Sequence, residues 1–294
     1  MKFEKIININ TVGFPYESKE ISNADIFSMA EEQIITSNEH KNLLLIIDPQ
    51  NDFMEDGNLA VKGAGNNILN LTNFIYNNLR KIDKIKVSLD THTYKQIFSQ
   101  VWWEDENGNH PDFYTIIDED SKYKPVYHKE YSMKYLKYLS ENNKELIIWP
   151  YHCILGTFGH NIEANLENML SYFSLVTKNT VEKITKGSNA LSEMYGIFKQ
   201  EYSEINTEIN PMLAKAYGKY ENIIIAGEAK SHCVLETVKQ MCEFYTYDHF
   251  NSNIFILEDC MSSITGFEEK TKKEFQLLVR KYNVVLTNTK TIQL

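Results

Sequence analysis

Short apolar runs separated by helix-like stretches restrict most strongly how this chain can fold. The runs are "LLLII" (Leu43 to Ile47), "IKVSL" (Ile85 to Leu89), "NIIIAG" (Asn222 to Gly227), "NIFIL" (Asn253 to Leu257) and "NVVL" (Asn283 to Leu286). Runs this short and rich in Ile and Val suit parallel strands buried on both faces. Between them, "NNILNLTNFIYNNL", "HCVLETVKQMCEFY" and "FEEKTKKEFQLLV" carry apolar residues at helical spacing with no internal proline. The alternation predicts βαβ units: an α/β fold with a doubly wound, mainly parallel sheet of about six strands and helices on both faces.

Two stretches break the rhythm. Residues 1–40 read as an N-terminal arm or extension, and 41–294 as one α/β domain. That domain carries an insertion at about 93–145, rich in Tyr, Asp, Glu and Lys and placed over one face of the sheet as a lid or an oligomer contact. With 294 residues, 43% hydrophobic and 24% charged, the chain can bury a substantial core. A net charge of -10 and a pI near 5.4 disfavour nucleic acid or an anionic membrane as partner and suit a small neutral or cationic ligand. The opening "MKFEKIININTVGF" has no signal-peptide pattern, and no stretch reaches membrane-spanning length, so a soluble, cytoplasmic protein is expected. Cysteines 153, 233, 242 and 260 form no CxxC pair, which disfavours a disulfide framework and a cysteine-only zinc knuckle.

Chemistry-bearing residues fall just past the ends of several predicted strands: Asp48 after the first, Asp90 after "IKVSL", Lys186 after "VEKIT" and Cys233 soon after "NIIIAG". In open α/β sheets, ligands bind outside the carboxyl ends of the strands, near the switch in strand order. Each residue alone has a plainer reading: a strand-end Asp caps a turn, a Lys followed by Gly lies in a solvated loop, and an isolated Cys fills core space. Cys233 differs in its predicted position in the first turn of a helix, where the dipole and free N–H groups favour the thiolate and lower its pKa. A neighbouring base and cation would complete its activation.

Five separated motifs occur in order: "LLLIIDPQNDFMEDGNLAVKGA", "DTH" (Asp90 to His92), "WPYHCILGTFG" (Trp149 to Gly159), "TKG" (Thr185 to Gly187) and the cysteine segment "GEAKSHCVLETV". In this order and over roughly Leu43 to Leu286, the chain resembles nicotinamidases and the wider isochorismatase-like cysteine hydrolases. The resemblance implies a catalytic triad of Asp48, Lys186 and Cys233. In it Asp48 takes the thiol proton, Lys186 stabilises the anion and the thiolate attacks an amide carbonyl, releasing ammonia and leaving a thioester for water to cleave. It further implies an oxyanion hole from the N–H groups of Ala229 and Cys233, with a cis peptide between Glu228 and Ala229. Phe53 and Trp149 match the aromatic residues that flank a flat ring in that family.

Asp90 and His92 lie close enough along one strand end to face the same crevice, and His152 could join them. One carboxylate and two imidazoles suit a borderline divalent ion, zinc first, with iron or manganese as alternatives. In nicotinamidases the ion binds the pyridine nitrogen of the substrate. The expected function is therefore a metal-dependent amidohydrolase that converts nicotinamide and water to nicotinate and ammonia in NAD salvage. Its partner is a small-molecule amide, and a homo-oligomer is the expected assembly.

The chain also departs from the family pattern. Gln96 stands where a further histidine is usual, leaving Gln96 or His110 to complete the metal site, and Ser231 stands where an Asp is common. After the lysine, "KGSNALSEMYG" offers Asn189, Glu193 and Tyr195 as pocket groups, although a solvated loop is the simpler reading. These departures, with the insertion, keep open an alternative amide, ureide or carbamoyl substrate. A non-catalytic binding subunit is a remote alternative, opposed by the intact triad. Isochorismate hydrolysis is disfavoured because that branch does not use the cysteine.

Overall fold

Asn42–Ile47 forms the central strand β1, and each residue from Leu43 to Ile47 is 0% exposed. In the computed structural model, which describes residues 3–31, 35, 41–204, 215–248, 252–282 and 284–294, five further strands join it. They are β2 (Lys84–Asp90), β3 (Glu182–Lys186), β4 (Asn222–Gly227), β5 (Asn253–Leu257) and β6 (Val284–Thr287). The sheet order is β6-β5-β4-β1-β2-β3, and every adjacent pair is parallel. Asn283, the predicted start of the last run, lies outside the described residues.

Seven helices are described: α1 (Phe3–Ile6), α2 (Asn23–Glu31), α3 (Ala64–Asn77), α4 (Lys129–Glu141), α5 (Ala164–Thr177), α6 (Leu235–Asp248) and α7 (Glu268–Lys281). The two-residue period of β1 divides its side chains between two cores. Leu44 and Ile46 join Leu71 of α3 and Leu166 of α5, whereas Leu43, Leu45 and Ile47 join Val238 of α6 and Phe275 of α7. Burying each such side chain contributes about 1.5–3 kcal/mol, so an uninterrupted apolar run is stable only between two helix layers.

The described part of the amino-terminal arm is built into the first of these cores. Ile6, Ile7, Val12 and Ile26 are buried, and the arm's backbone N–H groups at Asn8 and Ile21 donate to the Asn165 and Asn168 side chains of α5 at 2.7 and 2.9 Å. The 93–145 segment is anchored by buried Trp102 and Trp103 and by short antiparallel pairs, Trp103–Glu104 with Lys124–Pro125 and Ile116–Ile117 with Leu146–Ile147. Its start is tied to the carboxyl end of the sheet, where Ile97 N donates to Ala190 O at 2.9 Å. Among the described residues, no helix is long and apolar enough to cross a membrane.

The chain runs from β1 outward to β3 and then crosses back to β4 on the other side of β1. The switch in direction falls between β1 and β4, so their carboxyl ends open into the crevice where such folds bind ligands. Gly227 closes β4 beside Ile47 with a φ of 117°; a Cβ there would lie 2.0 Å from Ile47 O. Only glycine allows the two strand ends to approach so closely.

Candidate active site

Asp48 leaves β1 in the left-handed region, with φ 42°, which turns its carboxyl back over the strand ends. Ser88 Oγ of β2 donates to Asp48 Oδ1 at 2.6 Å. Lys186, the last residue of β3, brings a fully buried ammonium between two carboxylates, 3.0 Å from Asp48 Oδ2 and 3.0 Å from Asp90 Oδ1. The same Nζ donates to Met194 O at 3.0 Å and lies 3.5 Å from Cys233 Sγ. Lys186 is thus a buried ion-pair partner and not the solvated-loop lysine of the plainer reading.

Cys233 lies in a π-type turn, Lys230–Val234, that feeds α6. His232 N and Val234 N both donate to Ala229 O, closing the turn and putting Ala229 and Cys233 on one pocket wall. The Glu228–Ala229 peptide is cis. Helix position and a nearby cation predict a depressed thiol pKa, but here burial pushes the Cys233 thiol well up. Lys186 opposes that rise, while Asp48 and Asp90 reinforce it. Burial likewise raises the Asp48 carboxyl in spite of Lys186, so the resting pair is a neutral thiol beside a strengthened base. Burial disfavours the Lys186 ammonium too, yet Asp48, Asp90 and Cys233 outweigh it and hold the pKa well above the usual lysine range.

Asp90 belongs to a second cluster through its other oxygen. His92 Nε2 is 3.0 Å and His152 Nε2 3.7 Å from Asp90 Oδ2, and the two imidazole rings are 4.8 Å apart. His92 Nδ1 lies 3.2 Å from Gly187 O, and His152 Nδ1 lies 2.7 Å from Pro150 O. Carbonyl oxygens at both Nδ1 atoms accept an N–H there and turn both Nε2 atoms toward Asp90; burial lowers the His92 pKa, but Asp90 outweighs it and raises it. His92 Nε2 is buried, with Asp90 Oδ2 as its neighbour. A convergent carboxylate and two imidazoles fit a divalent cation, and Asp90, His92 and His152 form a group able to hold one. Against burial, His92 and Lys186 hold the Asp90 carboxyl well below its usual range, keeping it anionic.

Neither candidate for a further ligand joins this group. Gln96 Nε2 donates to Gly187 O at 2.7 Å and its Oε1 accepts from Thr93 N at 3.1 Å, so the amide is spent on the loop. His110 is exposed and pairs with Trp103 O at 2.8 Å. Gly187 itself leaves room that no other residue could: with φ 78°, a Cβ would meet Asp90 Oδ1 at 2.7 Å and His92 Cε1 at 2.8 Å.

The two clusters border one small pocket, lined by Phe53, Asp90, Trp149, His152, Ala229 and Cys233. Glu193 and Tyr195 also line it, which overturns their reading as solvated loop residues. Burial, with Asp90 adding to it and His92 and Lys186 opposing, pushes the Glu193 carboxyl up to about 7. Tyr195 OH accepts from Trp149 Nε1 at 3.0 Å and fixes that ring. Asn189 of the same loop is exposed and bonds to Gln200 at 2.7 Å. Ser231 faces away from the thiol: its Oγ accepts from Ile264 N at 3.1 Å and lies 2.8 Å from His232 Nδ1.

Residues with no assigned role in the sequence reading hold the site together. Gln50 Oε1 accepts from Asp90 N at 2.7 Å, and its Nε2 donates to Asp90 O at 2.8 Å and His160 O at 2.9 Å. Asp52 Oδ2 accepts from Cys153 N at 2.7 Å, beside His152. Their signal was present in the "QNDF" phrase, a polar run following at once on a fully buried strand.

The fold is the isochorismatase-like α/β fold: a six-stranded parallel sheet, here with cysteine, aspartate and lysine at its switch point. Within that class, the chain resembles the nicotinamidases. It is 23% identical over 201 residues to a nicotinamidase of Saccharomyces cerevisiae, covering 68% of this chain and 81% of the relative. A nicotinamidase and pyrazinamidase from Acinetobacter baumanii superposes with a TM-score of 0.61 at 19% identity, covering 86% of this chain and 99% of that one. A pyrazinamidase of Pyrococcus horikoshii in complex with zinc gives 0.51 at 16% identity, over 84% and 99% of the two chains. No protein-family model matches the chain.

Proposed function

We propose that this protein is a nicotinamidase, hydrolysing nicotinamide to nicotinate and ammonia in the recovery of pyridine nucleotides. One observation carries the reading: Cys233, with the buried Asp48 and Lys186 against it, lines a small pocket together with Asp90 and His152, and His92 packs beside those two. Phe53 and Trp149 line the same pocket and suit a flat ring. The zinc complex of the Pyrococcus pyrazinamidase supports the same ion here.

In the proposed mechanism Asp48 takes the Cys233 proton as sulfur attacks the amide carbonyl carbon, so the raised thiol pKa is met by a base with a raised pKa of its own. Lys186 balances the charge created on sulfur, while the N–H groups of Ala229 and Cys233 receive the carbonyl oxygen as it becomes an oxyanion. Collapse breaks the C–N bond, and ammonia leaves with the proton from Asp48. Asp48 then deprotonates a water that attacks the thioester; collapse releases nicotinate and returns the proton to sulfur. A divalent ion held by Asp90, His92 and His152 would supply a Lewis-acid anchor for the pyridine nitrogen.

An ammonia-release assay over nicotinamide, pyrazinamide, aliphatic amides and ureides tests the reading. Preference for the pyridine and pyrazine carboxamides is expected. Turnover confined to aliphatic amides or ureides would overturn the substrate assignment.

A further inference from the structure

Glu228 carries a carboxyl of 0% exposure one residue ahead of Ala229, and the proposed chemistry leaves it unused. Its backbone N–H donates to Ile47 O at 2.8 Å, which ties it to β1. Its side chain spans two other elements: Asn67 Nδ2 of α3 donates to Oε1 at 2.7 Å, and Ser262 N, in the loop after β5, donates to Oε2 at 3.0 Å. Asn67 Nδ2 also donates to Ser262 Oγ at 2.8 Å. Ser262 O accepts from Lys230 N at 2.8 Å, and Ile264 N donates to Ser231 Oγ at 3.1 Å. Residues on both sides of Ala229 are therefore gripped by one loop, and the Glu228 carboxyl joins that loop to α3.

An apolar side chain would fill this space without the desolvation cost of a buried acid. What it could not do is accept a hydrogen bond at two fixed points. We propose that Glu228 is a positioning residue, whose clamp between Asn67 and Ser262 sets the Ala229 N–H toward the oxygen of a group bonded to Cys233. The inference rests on the oxyanion role assigned above to Ala229 and Cys233. Burial pushes the Glu228 carboxyl up to about 8, so near neutral pH it is mostly protonated, and its hydroxyl oxygen still accepts from an N–H donor. A glutamine offers only one acceptor, and its NH2 group would face the second donor.

The test compares wild type with Glu228→Gln, both shown folded by near-ultraviolet circular dichroism. The probe is nicotinaldehyde, whose carbonyl carbon accepts the Cys233 sulfur while its oxygen gains the thiol proton, giving a hemithioacetal with no leaving group. The aldehyde dissociation constant should rise about 10- to 100-fold in the variant, and kcat for nicotinamide should fall by a similar factor. Nicotinamide affinity, measured in a Cys233→Ala background, should change less than about twofold on adding Glu228→Gln. Asn67→Ala, which removes one donor of the clamp, should reproduce the same split more weakly and serves if Glu228→Gln does not fold.

Unchanged aldehyde affinity overturns the proposal. So does an equal loss of aldehyde and amide affinity, because that marks a damaged pocket and not a displaced donor. A wild type that forms the adduct but hydrolyses no nicotinamide defeats the reading of function alone, since adduct affinity still decides the role of Glu228. A wild type that forms no adduct overturns both.

Discussion

In the thiol half of the crevice Lys186 Nζ reaches Asp48, Asp90, Met194 O and Cys233, so every charge there has a counter-charge. In the imidazole half, the Nε2 atoms of His92 and His152 converge on Asp90 Oδ2 from 3.0 and 3.7 Å. Both halves stand on adjacent strand ends and share one residue, Asp90, with one oxygen in each. The difference teaches that the Cys233 thiol is held by an ion-pair network internal to the chain, whereas the opposite wall offers a donor set suited to a divalent ion. Perturbations should therefore separate the halves.

The largest separation comes from Cys233, the proposed nucleophile. Cys233→Ala should reduce ammonia release at least about 10³-fold while leaving zinc uptake, measured by isothermal titration, within about twofold. Persistent turnover in that variant would remove the thiol from the mechanism.

Lys186→Met breaks the thiol half from within by leaving two buried carboxylates with no cation. Urea denaturation should show a loss of about 3–5 kcal/mol, together with lost turnover. A variant as stable as wild type would mean that the ion pairs of Lys186 contribute little to the fold.

The opposite wall answers to a different agent. A chelator should reduce nicotinamide turnover about 10- to 100-fold, restored by zinc, and His152→Ala should raise KM more than it lowers kcat. Full activity in the chelated protein would make the convergence of His92 and His152 on Asp90 a matter of packing alone.

Away from both halves, Glu228 should leave a signature in stability against pH. Its folded pKa of about 8 lies above the ordinary 4.5, so the native state keeps a proton that the unfolded chain releases. Its contribution is whole below pH 4.5 and is lost as pH rises through 8, a fall of a few kcal/mol at about 1.4 kcal/mol per unit. In Glu228→Gln that component of the slope should vanish from denaturation curves taken between these limits. The smallest effect belongs to Asn189→Ala, within about 0.5 kcal/mol and twofold in turnover, because this exposed side chain bonds only its own loop.

The strands were legible because Leu43 to Ile47 and Ile223 to Ile225 write double-sided burial directly into composition. Asp48 and Asp90 were legible because each ends such a run, whereas Lys186 ends a largely exposed edge strand and was legible through the "TKG" motif. What stayed hidden depends on contacts made elsewhere in the fold. Glu193 and Tyr195 follow no period; their path is set by the Tyr135 hydroxyl, which accepts from Glu193 N, and by the Trp149 indole. The thiol shift was misread because local features favour the anion while the surrounding burial, absent from any short window, opposes it. Glu228 passed unnoticed for the same reason: a lone acid after "NIIIAG" gives no sign of the two N–H donors that reach it from α3 and from the loop after β5.

Gly187 has a consequence for the paths along which such a site can vary. Its carbonyl orients His92 and holds Gln96, while its missing side chain is the gap that Asp90 and His92 occupy. In the pair Lys186–Gly187, one letter contributes a charge and the next contributes vacant volume. Sequence drift can exchange charges elsewhere on the rim, but at position 187 every codon change that adds an atom spends space two neighbouring side chains already fill. The quietest residue in the loop is therefore also its least negotiable.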